Sequence, residues 1–304
     1  MDCKRSSSKA FTLLELLVSM VIVSIVLGIL IRMIGFTTNA WNTGNGDSER
    51  RQNARALTDF IAKELRPALL PLDPNLSASQ SSQPNLQFLL NPTDIDQSNR
   101  NPSALFWQAP VATDSSGSDL AEIGYFVRWT ADKVPKAQLC RFLVNPAAAN
   151  YLIYSSTSWI SDNILSAAAP ATAQSGYIGL FAENVIGFWV RLLDSGGTIM
   201  TASSGTGAGT PLTSYDSRQT LALPYCAEIS MVLLDQHSAG IITPALQQEI
   251  MDRVNDTGNI TTDAEKSPAD ECVKKIQTSP AGAMKKIAQG ARAYTVRVYL
   301  ENAR

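Results

Sequence analysis

The sequence is poor in the residues on which most catalytic sites depend. It contains one histidine, His237, and four cysteines among 304 residues. It has no Gly-x-Ser-x-Gly elbow and no phosphate-binding Walker loop, and its cysteines follow no zinc-binding spacing. We therefore expect no enzymatic activity, no metal site, no cofactor and no small-molecule substrate, and we interpret His237 as a turn residue. A carboxylate pair of the glycosidase type would need a geometry that the sequence does not reveal; the candidates are Glu183, Asp194, Glu228 and Asp235.

An excess of positive charge is also absent. The chain has 25 basic and 27 acidic residues, for a formal net charge of −2. Nucleic-acid binding normally requires a basic surface, so we expect no nucleic-acid partner. Charged residues make up only 17% of the chain and apolar residues 45%. This balance agrees with an exported domain that is attached to a membrane.

What the sequence does have is a long apolar run near its N-terminus. A short basic segment, residues 1–10, precedes 26 residues from Phe11 to Phe36 that contain two charged side chains, Glu15 and Arg32. As an α-helix the run would be about 39 Å long, enough to cross a hydrocarbon core of about 30 Å. The basic residues before the run favour a cytoplasmic N-terminus and export of the rest. Arg32 lies near the outer end, where it can reach the headgroups.

Glu15 is the unusual residue of this run, because an isolated carboxylate in hydrocarbon is costly and needs a partner. The junction Lys9-Ala10-Phe11-Thr12, followed by Leu13-Leu14-Glu15, resembles the class III signal of type IV pilins and type II secretion pseudopilins. In that family a prepilin peptidase cuts before the Phe, the new N-terminus is methylated, and the glutamate pairs with the amine of a neighbouring subunit. The resemblance implies cleavage between Ala10 and Phe11, methylation of Phe11 and an assembly role for Glu15. Ala10 stands where the family prefers glycine.

A second helical stripe follows the apolar run. Four apolar residues recur at helical spacing and predict an amphipathic helix at 37–71. Gly44-Asn45-Gly46 predicts a break, local unwinding or a kink before the stripe, and Pro67 and Pro71 predict its end. The stripe consists of Ala54, Leu57, Ile61 and Leu65.

From Ala104 onwards the pattern indicates β-strands. Alternation such as that from Ile123 to Arg128 predicts sheets with one buried and one wetter face. A helical insert is predicted at about 237–290, with Thr243-Pro244 and Ser267-Pro268 as helix starts and a third short piece near Met284. The predicted strands are Leu86–Leu90, Leu105–Gln108, Glu122–Thr130, Leu139–Val144, Val185–Leu193, Thr198–Ala202, Ala227–Leu234 and Ala293–Leu300.

The predicted fold is therefore α+β. A long N-terminal helix, transmembrane in its first half, packs on antiparallel β-sheets, and a helical insert precedes the last strand. The predicted segments are a cleaved leader at 1–10, a transmembrane and assembly helix at 11–36, an amphipathic continuation helix at 37–71, a polar linker at 72–103 and a β-rich globular domain at 104–304.

Several motifs of the β-rich domain resemble the J-type minor pseudopilins. They are Glu122–Val127, Leu139–Phe142, Glu183–Asp194 and Leu223–Met231. The segment Phe106–Pro110 and the insert are also similar to the pilin-like proteins called Verru_Chthon cassette protein C.

The resemblance implies a minor pseudopilin at the tip of a type II secretion-type pseudopilus for protein export. Its partners would be a prepilin peptidase, other minor and major pseudopilins, the inner-membrane assembly platform and membrane lipid. It would cross the inner membrane once, with a cytoplasmic N-terminus and a periplasmic or extracellular C-terminal domain. Two alternatives stay open: a minor pilin of a type IV pilus for adhesion, motility or DNA uptake, and a signal-anchored binding domain that never assembles.

Two features of the later sequence leave their roles open. The insert forms either a partner surface or an extra solvated hairpin. Cys140, Cys226 and Cys272 remain after loss of the leader, so at least one is free or pairs between chains. Export makes one disulfide plausible, with Cys272 as a candidate that would hold the insert, while Cys140 also fits a buried small hydrophobe in a strand.

Overall fold

The protein is described by a computed structural model, and its chain forms two compact units, Met1–Glu49 and Arg50–Arg304. The predicted cleavage and methylation residues, Ala10 and Phe11, lie outside the described residues. The structure describes residues 12–69, 86–112, 119–153, 159–168, 179–202, 209–220, 222–256, 260, 262–278 and 282–303.

Helix α1 runs from Leu13 to Leu65. It ends just before Pro67, because proline cannot donate a helical hydrogen bond and disfavours helical dihedrals in the preceding residue. The helix therefore stops short of residue 71, where its predicted segment ended. A break or unwinding at Gly44-Asn45-Gly46 is wrong, since these residues are helical, and the predicted alternative of a kink stays a prediction. A glycine costs about 1 kcal/mol inside a helix, and the cooperative growth of a long helix offsets that cost.

The described β-strands form two antiparallel sheets within the second unit. In the six-stranded sheet the strand order is β5-β4-β3-β2-β1-β7, and in the three-stranded sheet it is β6-β8-β9. The strands are β1 Leu89–Leu90, β2 Ala104–Ala109, β3 Ala121–Trp129, β4 Ala137–Val144, β5 Gly179–Glu183, β6 Val185–Leu193, β7 Tyr215–Asp216, β8 Cys226–Leu234 and β9 Ala291–Tyr299.

Most predicted strands match observed ones within two residues, and the differences are confined to short segments. The strand predicted at Leu86–Leu90 shrinks to two residues. The strand predicted at Thr198–Ala202 is wrong, because that segment makes only isolated bridges, Leu193 with Ile199 and Thr201 with Pro211. Strands β5 and β7 were not predicted, since two to five residues carry too little alternation to be recognised.

The described part of α1 that belongs to the second unit packs between the two sheets. Its predicted stripe Ala54, Leu57, Ile61 and Leu65 is buried against residues of both sheets. A second apolar layer covers the other face of the six-stranded sheet, where Phe106, Phe126, Phe142 and Trp159 pack together. Because both faces are covered, β3 is buried from Ala121 to Val127 and the prediction of a wetter face is wrong there. Only β9 keeps a mixture of exposed and buried residues along its length among the long strands described.

Helices of the insert cover the outer face of the three-stranded sheet. Ile250, Cys272, Ile276 and Met284 are fully buried and pack in one cluster with Trp189 of β6. The solvated-hairpin interpretation of the insert is therefore wrong. The described helices after α1 are α2 Asp162–Ala168, α3 Ser217–Thr220, α4 Gln236–Gly240, α5 Pro244–Val254, α6 Pro268–Gln277 and α7 Gly282–Gly290.

Both predicted insert starts are confirmed. Thr243 caps α5 by accepting a hydrogen bond from the Leu246 N–H at 3.3 Å, and Pro244 occupies the first turn. Proline is favoured there because its missing N–H would have no helical acceptor. Ser267 and Pro268 begin α6 in the same order.

The three described cysteines are free and buried. The prediction of a disulfide through Cys272 is therefore wrong for the residues described. Cys272 lies in the apolar cluster between the insert and the sheet, where it contributes packing. Cys140 lies in β4 beside aromatic side chains, which confirms its interpretation as a small buried hydrophobe.

Candidate functional site

The N-terminal turn of α1 places Glu15 in a reciprocal cap. One oxygen of Glu15, Oε2, accepts hydrogen bonds from the Thr12 N–H and the Thr12 hydroxyl, each at 3.1 Å. In return the Thr12 Oγ1 accepts from the Glu15 N–H at 3.3 Å. These bonds satisfy polar groups that a helix otherwise leaves unpaired at its first turn.

Sequence reasoning identified Glu15 but missed Thr12. The signal was present, because Thr-x-x-Glu before an apolar run is the sequence pattern of a capping box. Glu15 is exposed, and no ion pair to it occurs within the described residues. Its carboxylate is therefore held in a fixed orientation while its charge has no basic partner in the described part of this chain.

The apolar run that follows is exposed along its whole length. Leu13–Thr38 spans 26 residues with a mean hydropathy of 2.8, and none of its most apolar window is buried within the protein. Its polar side chains bond to their own helix: Ser19, Ser24 and Thr37 donate to carbonyls three or four residues earlier. By length and composition this helix can cross a membrane once.

The exposed side chains of this segment are of the apolar types that proteins normally bury. Side chains such as Met20, Ile25 and Phe36 are 59–77% exposed, although they are the residue types that normally fill a core. Burying a large apolar side chain contributes about 1.5–3 kcal/mol. The segment is therefore built to be covered by lipid or by other apolar helices.

Among the described residues, three carboxylates are buried, those of Glu64, Glu228 and Glu122. The first anchors α1 to the six-stranded sheet. Glu64 of α1 pairs with Arg141 of β4 and accepts a hydrogen bond from the Tyr125 hydroxyl. Burial and the charge of Glu64 raise the pKa of Tyr125 well above its usual value. Burial lowers the pKa of Arg141, but bonding to Glu64 outweighs it and the net shift is upward. Arg141 therefore stays charged at neutral pH, and its ion pair with Glu64 fixes the C-terminal part of α1 on the six-stranded sheet.

The second buried carboxylate, Glu228 of β8, lies between two arginines of the three-stranded sheet. It accepts from the Arg191 Nε at 2.8 Å and from the Arg297 Nε at 2.9 Å. Strand register aligns all three residues, with Arg191 opposite Glu228 and Glu228 opposite Arg297. This ladder gives Glu228 a structural role.

The other carboxylates considered for a glycosidase pair also have structural partners. Asp194 accepts from the N–H groups of Gly196 and Thr198 in a tight turn, each at 2.9 Å. Asp235 caps α4 by accepting from the Ser238 N–H at 2.6 Å. Glu183 pairs with Lys136 at 3.3 Å.

The structure also shows where the single histidine lies. His237 lies exposed in the short helix α4, not in a turn as predicted. The described residues contain no group of three or more histidine, cysteine, aspartate or glutamate side chains that could hold a metal ion.

Comparison with known proteins supports the N-terminal motif. Residues 5–31 match the family model of the prokaryotic N-terminal methylation motif. No curated protein and no solved structure matches the chain. The matched segment contains Glu15 and most of the apolar run, and it fits the type IV pilin and pseudopilin family. The motif supports a pilin-like precursor that is processed by a prepilin peptidase and anchored by a single apolar helix.

Proposed function

We propose that this chain is a minor pseudopilin-like subunit, assembled at the tip of a type II secretion-type pseudopilus for protein export. The observation that carries the proposal is the fully exposed apolar helix Leu13–Thr38, with Glu15 held at its start. Such a helix needs lipid before assembly and apolar neighbours after it. A neighbour that offers an amine would also neutralise Glu15, which is costly to bury alone.

Processing and location follow from the same segment. A prepilin peptidase cuts between Ala10 and Phe11, and Phe11 is then methylated. The N-terminus stays in the cytoplasm and the unit Arg50–Arg304 lies in the periplasm or outside the cell. Other minor and major pseudopilins and the inner-membrane assembly platform are its partners.

We also propose that the chain is not an enzyme. Glu64 and Glu228 are engaged with arginines inside the fold, and Asp194 and Asp235 hold turns and caps. A tip position is favoured because a folded unit as large as Arg50–Arg304 is difficult to repeat at every position of a thin filament.

The N-terminus of the exported protein tests the processing step. Mass spectrometry of the membrane fraction should find a chain that begins at methylated Phe11. Ala10→Trp should leave the precursor uncut, because a bulky side chain at the junction hinders the peptidase. Ser7→Trp, which adds the same bulk inside the leader, should be processed normally. A wild-type chain that still begins at Met1 refutes the proposal and supports a signal anchor.

The charge of Glu15 tests the assembly step. Glu15→Leu should be processed and membrane-bound but should no longer co-purify with other pseudopilins. Ser19→Leu is the matched control in the same apolar run, and it should assemble. Normal co-purification of Glu15→Leu would contradict the role of this carboxylate in assembly.

Deletion of the gene separates the secretion role from that of a surface pilus. Export through the secretion system should fail, while twitching motility and DNA uptake continue. Loss of motility or uptake with intact export would instead favour a minor pilin.

A further inference from the structure

Strand β9 is an edge strand of the three-stranded sheet in the described part of the chain. It pairs with β8 through nine consecutive residue pairs, from Cys226 opposite Tyr299 to Leu234 opposite Ala291, without a bulge. Strand β8 lies between β6 and β9, so β9 has one neighbour in the described sheet. At nine residues it is long for an edge strand, and edge strands offer unpaired backbone groups to other chains.

The hydrogen-bond pattern shows which groups of β9 point outward. The Leu300 N–H donates to the Tyr225 carbonyl at 3.1 Å, and the Asp235 N–H donates to the Gly290 carbonyl at 3.2 Å. Because bonded pairs alternate along an antiparallel ladder, the even-numbered residues of β9 turn their backbone groups toward β8. The odd-numbered residues turn theirs away from the sheet. In the described part of the chain, nothing bonds to the backbone groups of the four odd-numbered residues from Ala293 to Tyr299.

Helix α1 runs alongside this edge. At one end Arg50 donates to the Gly290 carbonyl at 2.7 Å. At the other end the Glu301 N–H donates to the Arg66 carbonyl at 3.0 Å. The segment of α1 from Arg50 to Leu65 therefore lies beside β9 and runs in the same direction.

The flank of α1 on this side is basic. Phe60 and Glu64 face the six-stranded sheet, where they contact Phe181 and Arg141. At 3.6 residues per turn, the opposite flank carries three exposed arginines, which are Arg51, Arg55 and Arg66.

The side chains of β9 add to this charge. Arg292 is exposed on the same face of β9 as Tyr294 and Val296. Arg297 keeps 41% of its side chain accessible, but it lies on the opposite face, where it pairs with Glu228. Among the side chains that the structure describes, Asp59 and Glu301 are the exposed acids nearest to these arginines along the chain. Tyr294 and Val296 are half-buried on the face that packs toward α1, and they supply apolar contact between the charges.

We propose that the β9 edge binds an extended, acidic segment of another protein as an additional strand. Main-chain hydrogen bonds to the outward groups of β9 hold the segment, and its carboxylates meet the arginines of α1 and Arg292 of β9. A second copy of β9 is a poor occupant, because pairing two such edges brings like charges together. The proposal does not depend on the assembly role of Glu15, since its residues all lie in the unit Arg50–Arg304.

A peptide of alternating glutamate and valine tests the proposal. Ten residues, capped at both ends and fluorescently labelled, are titrated against the full-length chain in zwitterionic detergent. The same peptide with lysine in place of glutamate is the comparison. We expect the acidic peptide to bind at least about tenfold more tightly. Equal binding of the two peptides, or no binding of the acidic one, overturns the proposal.

Hydrogen exchange measured by NMR locates the bound peptide. With the acidic peptide, the outward amides of Ala293, Thr295, Arg297 and Tyr299 should exchange at least about tenfold more slowly. The inward amides of β9 are already bonded to β8 and should change little. Protection at another surface with no change in these four amides refutes the assignment to this edge.

Variants distinguish the contribution of charge to peptide affinity from the contribution of main-chain pairing with β9. Arg55→Glu should weaken binding several-fold, and Lys63→Glu, an exposed reversal away from this flank of α1, should not. Ala293→Pro removes an outward N–H and leaves the bonds to β8 in place, so it should lower affinity about tenfold. If Ala293→Pro fails to fold, the two charge-reversal variants still test the proposal. Equal losses of peptide affinity with Arg55→Glu and with Lys63→Glu contradict it.

Discussion

The stability of the folded unit should fall as pH rises from mildly acidic to alkaline, because of the buried carboxyl group of Glu122. This residue lies in β3 with no exposed surface. Its Oε1 accepts a hydrogen bond from the Leu152 N–H at 3.1 Å, while its Oε2 has no hydrogen-bond partner among the described residues. Burial raises the pKa of Glu122 from 4.5 to about 8, although backbone donors at Leu152 and Ile153 act in the opposite direction.

The sign of the effect follows from which state holds the proton. Below pH 4.5 Glu122 is protonated in both the folded and the unfolded chain, so it imposes no pH dependence. Between pH 4.5 and about 8 the unfolded chain releases the proton while the folded chain keeps it, so the free energy of unfolding decreases. The rise in the pKa of Glu122 from 4.5 to about 8, at about 1.4 kcal/mol per pH unit, corresponds to a loss of about 5 kcal/mol.

The assay is guanidinium unfolding of the full-length chain in detergent, followed by tryptophan fluorescence between pH 5 and pH 9. Wild type should lose stability steadily up to about pH 8 and then level off. Glu122→Gln cannot ionise, so its stability should change little over the same range. Glu183→Gln removes an exposed carboxylate of β5 and should keep the wild-type slope.

Two outcomes would contradict the assignment of this pH dependence to Glu122. A wild-type chain without a downward slope would mean that Glu122 is not held protonated. The same slope in Glu122→Gln and in wild type would assign the pH dependence to another group.

Two further predictions concern packing around β3. Glu64→Gln should lower the free energy of unfolding by about 3–5 kcal/mol, because the buried Arg141 loses its ion pair with this carboxylate; adding Arg141→Met should recover much of the loss in the same unfolding assay, and no recovery would count against the ion pair as the cause. Gly124→Ala should cost at least about 1–3 kcal/mol, because an added Cβ would collide with the buried ring of Phe106; a melting temperature equal to that of wild type would show that this ring moves freely.

Features that depend on neighbours in the chain could be predicted from the sequence. The apolar run and the proline after Leu65 place α1, and Thr243-Pro244 and Ser267-Pro268 place the starts of α5 and α6. Alternation and β-branched residues place β3, β6 and β8 within two residues. Even the missed cap at Thr12 was a local pattern, since its partner Glu15 lies one turn away.

Features that depend on contacts between distant residues could not be predicted from the sequence. Glu64 and Arg141 are 77 residues apart, and no periodicity in the sequence predicts their contact. The two-sided burial of β3 required knowledge of the second apolar layer around Trp159. The insert was polar enough to suggest a solvated hairpin, yet Ile250 and Ile276 close the outer face of the three-stranded sheet.

The apolar N-terminal helix, the position of Glu15 at its start and the α+β class follow from the sequence alone, because each depends on hydrogen bonds and periodicities between residues a few positions apart. The position of β9 at a sheet edge and the basic flank of α1 beside it depend on the tertiary structure. Arg50 reaches Gly290 across 240 positions of the chain. The backbone groups that remain unpaired depend on how all the strands pair in the folded protein.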